Sequence, residues 1–511
     1  MAKTGNQLLA EALTAVSEKV IGNIVHSKNM KPKQQALLVK NGYLKPIIKG
    51  WYLLDADLTA QETGNSALWF ESLWSFMTQY LTNRFDNNYW LSPEASLDIH
   101  TDSNELHKQI VVFVENGTED IIKLPLDMSI VVTRAKEMPE GLIEYRGLKV
   151  YTLETALAKS VPRSFIVNPI GIQVAMRNAN FEKLTEALLR LQNIASAGRI
   201  IGAYDALTMR AESKKLETIM KGVFENIKVV NPFEIVPVIL GVKRKESASA
   251  SRIRVMWQNM RQIIIKSTDK FEPKIDFYAN SFNKTLDMIN EIYIHDAYNS
   301  LSIEGYKVTP ELIQRVSNND WSPETIEKDY EAKNALAAKG YYDAFNKVKE
   351  SLTEAYHNED LNYLIDVGIT QWYTALFKPC VTSGIISELE LAGYRKGAMV
   401  IRGSRHAPPA SEQLMDCMTA FKECIAEEDS FLVKAILGHL FFGYIHPYFD
   451  GNGRTARFLM NFLLIVGGYR WVVIKLETRA NYLAALEAAS IDNNIQPFVE
   501  FLLETIEEGK E

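Results

Sequence analysis

The stretch His446-Pro447-Tyr448-Phe449-Asp450-Gly451-Asn452-Gly453-Arg454-Thr455-Ala456-Arg457 governs how the rest of the chain is read. Residues 431–445 before it form an apolar run of helical spacing, and residues 458–465 after it resume an apolar helical face. Pro447 disfavours helical geometry at the residue before it, so the first helix is predicted to end at His446, with the imidazole at its tip. Between the helices lies a turn with two glycines. Successive backbone N–H groups in such a turn can point into one concavity, and the following helix adds the partial positive charge of its N-terminus. This is an anion cradle. Arg454 and Arg457, three apart, fall on one side of that helix. Asp450 at the entrance offers a hard oxygen ligand suited to Mg²⁺ bridging phosphates. A neutral imidazole at His446 can take a proton from a hydroxyl at neutral pH. Base, carboxylate and cradle together predict phosphoryl- or nucleotidyl-type transfer to a hydroxyl. His439, among Leu437, Leu440 and Phe441, reads instead as a core histidine.

Outward from this stretch, 511 residues with 47% apolar content are enough for separate cores in two to four domains. No apolar run reaches the roughly 18–20 residues of a membrane span. Residues 1–7 lack the apolar stretch and cleavage site of a signal peptide. The 27 Gly, 17 Pro and 3 Cys exclude collagen, disorder and a disulfide scaffold. Cys380, Cys417 and Cys424 are expected as reduced thiols, which places the protein in the cytoplasm. Net charge −7 argues against a protein coated in nucleic acid but leaves room for a local basic module.

Residues 1–57 are such a module: eight lysines against four acidic residues give +4, leaving −11 for the remainder. Helical spacing covers residues 7–25 and 32–40. Gly42 ends the second helix, and residues 43–48 and 51–54 alternate like two strands around Lys49-Gly50. Helices followed by a small hairpin, with Lys31, Lys33 and Lys40 around the second helix, predict a winged helix-turn-helix-like domain; duplex DNA and a protein surface are both open as its partner. Residues 58–242 read as a mixed α/β domain, with helical spacing at 67–81, strand-like runs at 109–115 and 129–133, and helices from Glu154 and Asn180. Residues 243–254 (KRKESASASRIR) read as a solvated linker or a helix start, within a connector spanning 243–268. From 269 to 511 apolar residues recur at helical spacing, except at 393–407, which has the Gly and β-branched content of a hairpin. The expected fold class is mainly α.

HPYFDGNGRTAR resembles the signature HxFx(D/E)GNGRxxR of the Fic family (filamentation induced by cAMP), with Tyr448 where the family usually has Phe. The resemblance implies a compact helical core over 269–511 and transfer of AMP from ATP to a Ser, Thr or Tyr hydroxyl of a target protein. It implies His446 as catalytic base and Asp450 as Mg²⁺ ligand. Gly451, Asn452, Gly453 and Arg454 become the phosphate-binding loop, and Arg457 the partner of the γ-phosphate. Glycine at 453, where kinase-like relatives place a lysine, implies nucleotidyl transfer. Residues 393–401, followed by Ala407-Pro408-Pro409 and Leu414-Met415, are similar to the family's flap hairpin. An extended target can pair with such a flap by strand addition, bringing its hydroxyl beside His446; a plain connecting hairpin has the same pattern.

Ser300-Leu301-Ser302-Ile303-Glu304-Gly305 resembles the family's inhibitory motif (S/T)xxxE(G/N). Of the five Glu-Gly or Glu-Asn pairs in the chain, only Glu304 has a hydroxyl residue four positions earlier. The resemblance implies that Glu304 pairs with Arg457 and removes the cation the γ-phosphate needs. A helix ending at Gly305 with an ordinary exposed Glu is the alternative. Residues 37–54 (LLVKNGYLKPIIKGWYLL) and 151–165 (YTLETALAKSVPRSF) are similar to antitoxin regulators of abortive-infection systems, in which a winged helix precedes a mixed α/β domain and the protein represses its own operon. The expected function is a self-inhibited, ATP- and Mg²⁺-dependent protein adenylyltransferase, with AMP removal and self-modification left open. The rival is a DNA-binding autoregulator whose Fic core is a low-activity sensing or binding module.

Overall fold

The first helix is shorter than its apolar spacing predicts. α1 (Gly5–Ser17) stops well before residue 25. Gly22 and Asn23 take left-handed backbone angles, φ 54° and 63°, and turn the chain into the strand β1 (Ile24–His26). α2 (Pro32–Lys40) lies where expected, with Pro32 at its first position, where the missing N–H would have had no helical partner. Gly42 (φ 81°) leads into the hairpin β2 (Leu44–Ile48) and β3 (Trp51–Leu54). These strands form an antiparallel sheet of order β1-β3-β2. Ala12, Val16, Val25, Leu38, Leu44 and Leu54 fill the space under it.

The computed structural model describes residues 5–55, 65–103, 108–115, 117–233, 246–268, 271–273, 277, 282–318, 329–357, 360–391, 393–397, 399, 401 and 404–508. They form two compact units, 1–252 with 400–407, and 253–399 with 408–511. In the first unit, α3 (Asn65–Phe85), β4 (Trp90–Leu91) and α4 (Pro93–His100) precede β5 (Gln109–Val114), β6 (Asp120–Lys123) and β7 (Ser129–Arg134). The sheet order is β4-β5-β7-β6, with only the β5–β7 pair parallel. Ile110, Val112 and Val114 alternate inward on β5, in one core with Phe76, Met77 and Leu81 of α3. Trp51 of β3 joins the same core, edge-on to Phe76 and Tyr80. A hairpin, β8 (Leu142–Tyr145) and β9 (Leu148–Tyr151), leads to α5 (Leu153–Lys159), α6 (Pro162–Val167) and α7 (Pro169–Asn178). α8 (Phe181–Leu191), α9 (Ile194–Ala206) and α10 (Arg210–Lys221) complete a helical layer around Leu157, Phe165, Leu188 and Tyr204.

The second unit is helical. Residues 248–254 of the stretch read as solvated linker or helix start begin α11 (Ala248–Thr268), and Arg252 and Arg254 there are buried. Arg254 is 1% exposed and pairs with Glu423, and Arg261 pairs with Glu428. Lys243, Arg244 and Lys245 lie outside the described residues. α12 (Phe282–Ile303), α13 (Pro310–Ser317), α14 (Asp329–Tyr356) and α15 (Leu361–Thr382) follow. Then come α16 (Leu414–Glu427), α17 (Phe431–Ile445), α18 (Asn452–Val466), α19 (Arg479–Ile491) and α20 (Gln496–Glu508). α17 is apolar nearly all round, and every residue of α18 but Gly453 is buried, which makes this pair the centre of the unit. Among the described residues of 393–407 no strand pairing occurs; Ala398, Val400, Arg402 and Gly403 of the expected hairpin lie outside them. Among the described residues no helix is long and apolar enough to cross a membrane.

Candidate active site

α17 ends at His446 as predicted, but the residue is left-handed (φ 51°, ψ 58°) rather than extended as a residue before proline usually is. Arg395, 3% exposed, accounts for this. Its Nε donates to the His446 carbonyl at 2.8 Å, its backbone N–H to the Pro447 carbonyl at 2.9 Å, and its Nη1 to the Gly397 carbonyl at 2.7 Å. The loop beyond is clamped by Asn452, whose side-chain amide donates to the Tyr448 carbonyl (2.7 Å) and accepts from the Tyr448 N–H (2.9 Å). Tyr448 stacks on Tyr373 with centroids 3.6 Å apart. Gly451 has φ 77°, and a Cβ there would lie 2.8 Å from the Phe377 ring. The loop is therefore rigid before any ligand arrives.

The His446 Nδ1 lies 3.2 Å from the Gly443 carbonyl. A carbonyl can only accept, so the ring proton sits on Nδ1 and Nε2 keeps its lone pair. Desolvation of the half-buried ring pushes its pKa down to about 4, so it is neutral at pH 7.

On the phosphate side, Arg454 is 1% exposed, with its guanidinium between the rings of Tyr306 (5.1 Å) and Phe377 (5.2 Å). Its Nη2 lies 3.2 Å from Asp450 Oδ1, and its buried Nε has no hydrogen-bond partner among the described residues. A buried donor without an acceptor suits a phosphate oxygen. Enclosure pushes the Asp450 carboxyl up, but Arg454 and the Gly451 N–H (2.6 Å) outweigh it and hold the group below its ordinary value. The Asp450 side chain is 57% exposed, and among the described residues no cluster of three His, Cys, Asp or Glu could hold a metal. One ionised carboxylate beside a phosphate cradle fits Mg²⁺, for which Asp450 would be the protein ligand.

α12 reaches this site through its C-terminal cap. Gly305 (φ 87°) donates to the Ser302 carbonyl at 3.0 Å, and the Tyr306 N–H donates to Leu301 at 3.1 Å, a Schellman motif. The cap delivers Glu304 to Arg457, Oε1 to Nη2 at 2.7 Å. Ser300 supplies two more acceptors to the same guanidinium, Oγ to Nε at 2.8 Å and its carbonyl to Nη2 at 3.0 Å. Burial opposes the Arg457 charge, yet Glu304 more than offsets it and the guanidinium stays protonated. Gly453 makes the room: a Cβ there would lie 2.3 Å from Glu304 Oε1.

His446, Asp450, the 451–454 loop, Arg457, Ser300 and Glu304 thus converge, while His439 lies in the core. It is 2% exposed, bonded to the Tyr482 hydroxyl at 2.7 Å, and pushed by burial down to about 3. Spacing alone does not reveal three further residues. Arg395 and Tyr306 meet the loop only through the fold. Asp296 lies on the buried face of α12, bonded by the Tyr341 hydroxyl at 2.7 Å, with its carboxyl raised by burial to about 6. The one available signal was Gly305, since a helix-ending glycine fixes where the next side chain goes.

A neutral imidazole, an ionised carboxylate and two buried guanidiniums around one rigid loop define a helical domain equipped to hold phosphates beside a base. Residues 369–464 match the model of the Fic/DOC family, and the chain contains a Fic domain. The chain is 28% identical over 271 residues to a protein adenylyltransferase Fic of Nematostella vectensis, covering 50% of this chain and 57% of that protein. It is 35% identical over 128 residues to a protein adenylyltransferase Fic of Culex quinquefasciatus, covering 24% and 25%. The chain thus spans about half the length of the first relative and a quarter of the second. Among solved structures, a fragment of Fic-1 from C. elegans is similar with TM-score 0.37 and 18% identity, over 70% of this chain and 89% of that one. A Fic domain containing signaling protein from Bacteroides thetaiotaomicron gives TM-score 0.35 and 18% identity, over 50% and 92%.

Proposed function

We propose that the chain transfers AMP from ATP to a hydroxyl side chain of a protein. The observation that carries this reading is the neutral His446, its Nε2 unprotonated, on the same rigid loop as Asp450 and Arg454. The target hydroxyl gives its proton to His446 Nε2 as its oxygen bonds to the α-phosphorus, and the bond to the departing pyrophosphate breaks. Arg454 Nε and the N-terminal turn of α18 bind phosphate oxygens. Asp450 is the residue that would hold Mg²⁺, which when bound offsets the phosphate charge. Arg457 takes the γ-phosphate once Glu304 releases it. The 393–407 segment receives the target, a role supported by the ties from Arg395 to the His446 and Pro447 carbonyls. A chain of 511 residues with three cysteines suits the reducing setting of a cytoplasm.

The test is incubation with labelled ATP and Mg²⁺ of wild type, Glu304→Gly and His446→Ala. Label on the protein should rise in Glu304→Gly and vanish in His446→Ala. Equal label in His446→Ala would remove the base from the mechanism.

A second reading concerns the first unit. The helix–strand–helix–hairpin order of α1, β1, α2, β2 and β3, with Lys31, Lys33 and Lys40 exposed, favours a winged helix that binds duplex DNA and regulates its own gene. The division into 1–57, 58–242, 243–268 and 269–511 belongs to that reading. The two functions are compatible in one chain.

A further inference from the structure

The cap of α12 touches the active-site loop at a second point, away from Glu304. Tyr306, the residue after Gly305, donates its hydroxyl to Asp450 Oδ2 at 3.3 Å and accepts from Arg454 Nη2 at 3.5 Å. Its ring covers the Arg454 guanidinium at 5.1 Å, and Lys333 Nζ lies 5.9 Å from the ring centroid. Two backbone bonds fix its position: its own N–H to the Leu301 carbonyl, and the Lys307 N–H to Asn334 Oδ1 at 3.1 Å. Asn334 is 5% exposed, so the anchor is part of the core.

We propose that Tyr306 is an active-site residue that competes with the divalent cation at Asp450 and with phosphate at Arg454, so that one helix cap closes the nucleotide site at two chemically different points. This rests on the reading of Asp450 as the cation ligand. Asp450 Oδ1 already accepts from the Gly451 N–H and faces Arg454, which leaves Oδ2 as the oxygen available to a cation. Tyr306 holds that oxygen with a proton donor. A carboxylate oxygen has two acceptor sites, and a proton donor on one of them crowds a cation on the other and draws charge away from it. Arg454 Nη2 is likewise divided between Asp450 and the phenol, so a phosphate oxygen approaching Nη2 must displace Tyr306.

The two contacts answer to different parts of the nucleotide. Glu304 opposes only a ligand with a γ-phosphate, because its partner is Arg457. Tyr306 opposes any nucleotide that arrives with a cation at its first two phosphates. ADP therefore separates them. Because Glu304, Gly305 and Tyr306 share one Schellman cap, displacement of that cap frees both points together, whereas Glu304→Gly removes only one.

The experiment is calorimetric titration of ADP, with Mg²⁺ and with chelator, into the full chain as wild type, Tyr306→Phe, Glu304→Gly and Asp450→Asn. Tyr306→Phe keeps the ring over Arg454, and matched melting curves establish that it is folded. It should tighten Mg²⁺·ADP binding about three- to tenfold, the range for removing one competing hydrogen bond. Without Mg²⁺ its gain should be smaller, and Glu304→Gly should change ADP affinity less than about twofold. If Asp450→Asn abolishes the Mg²⁺ dependence while Tyr306→Phe binds Mg²⁺·ADP like wild type, Tyr306 is only a packing residue and the proposal falls alone. If Asp450→Asn leaves the Mg²⁺ dependence intact, the proposal falls together with the reading beneath it.

Discussion

Desolvation sets the chemistry of His446. With its pKa pushed down to about 4, the ring is in its base form throughout the neutral range. The acid limb of the pH–rate profile of Glu304→Gly should therefore fall near pH 4–5, not near the ordinary histidine value of about 6.5. His446→Ala should lower the transfer rate by about 10²–10⁴-fold while ATP still binds, which calorimetry checks. For Glu304, the charge-assisted contact to Arg457 contributes about 1.5–3 kcal/mol, roughly 10- to 150-fold in occupancy. Glu304→Gly should raise self-labelling at least about tenfold and Glu304→Asp by less; Arg457→Ala should leave the Glu304→Gly gain largely absent. Equal labelling by wild type and Glu304→Gly would return Glu304 to a simple helix end. The residues behind these predictions were legible because their pattern is local: His446 to Arg457 are one loop and the first turns of one helix. Tyr306 was not legible, since it lies 144 residues from Asp450, and Arg395 lies 51 from His446. No spacing rule reaches that far.

At the scale of elements, periodicity read α2, α17 and α18 well because each keeps one apolar pattern from end to end. It overran α1, since Val20, Ile21 and Val25 extend the helical spacing while Gly22 and Asn23, at positive φ, break the helix. The C-terminus of α17 shows the same limit. Pro447 announced the helix end, but the left-handed turn depends on Arg395, whose guanidinium also reaches the Pro409 carbonyl. Arg395→Ala strips partners from carbonyls of His446, Gly397 and Pro409. At about 1–3 kcal/mol for each buried polar group left unpaired, the second unit should lose more than about 2 kcal/mol in urea unfolding. Transfer should suffer more in kcat than in ATP binding, because it is the His446 end of the loop that loosens. α2 offers a different test. Replacing Lys31, Lys33 and Lys40 with Gln should weaken duplex binding by the full chain and flatten its salt dependence, by up to about 0.9 in log–log slope for each phosphate no longer neutralised. An unchanged mobility shift would leave α2 a helix that binds protein.

Over the whole molecule, four histidines are pushed toward the neutral form by burial. In the first unit His26 and His100 both lie below the ordinary value, lowered chiefly by burial. In the second unit His439 is pushed to about 3 and His446 to about 4, while Asp296 is raised to about 6. A histidine with a lowered folded pKa contributes stability above its unfolded value, about 6.5, and loses it as pH falls toward the folded value. Asp296 works the other way: between about pH 6 and 4 the folded state keeps its proton and the unfolded state has lost it, so acid favours the fold there. Among these three groups, two histidines against one carboxyl give the unfolded second unit about one more bound proton in that window, about 1.4 kcal/mol per pH unit. Asp450, Glu311 and Glu412, all held below their ordinary values, add to the loss toward pH 4.5. Unfolding measured from pH 6 to 4.5 should show at least this slope in wild type. His439→Gln removes one titrating group and should lower the slope by about one proton, although the variant is less stable at pH 7 through its altered contact with Tyr482. Asp296→Asn should steepen the slope by about one proton, because the opposing group is gone. If Asp296→Asn leaves the slope as in wild type, then Asp296 is ionised across the window, and the buried side of α12 carries a standing negative charge beneath Ser300 and Arg457.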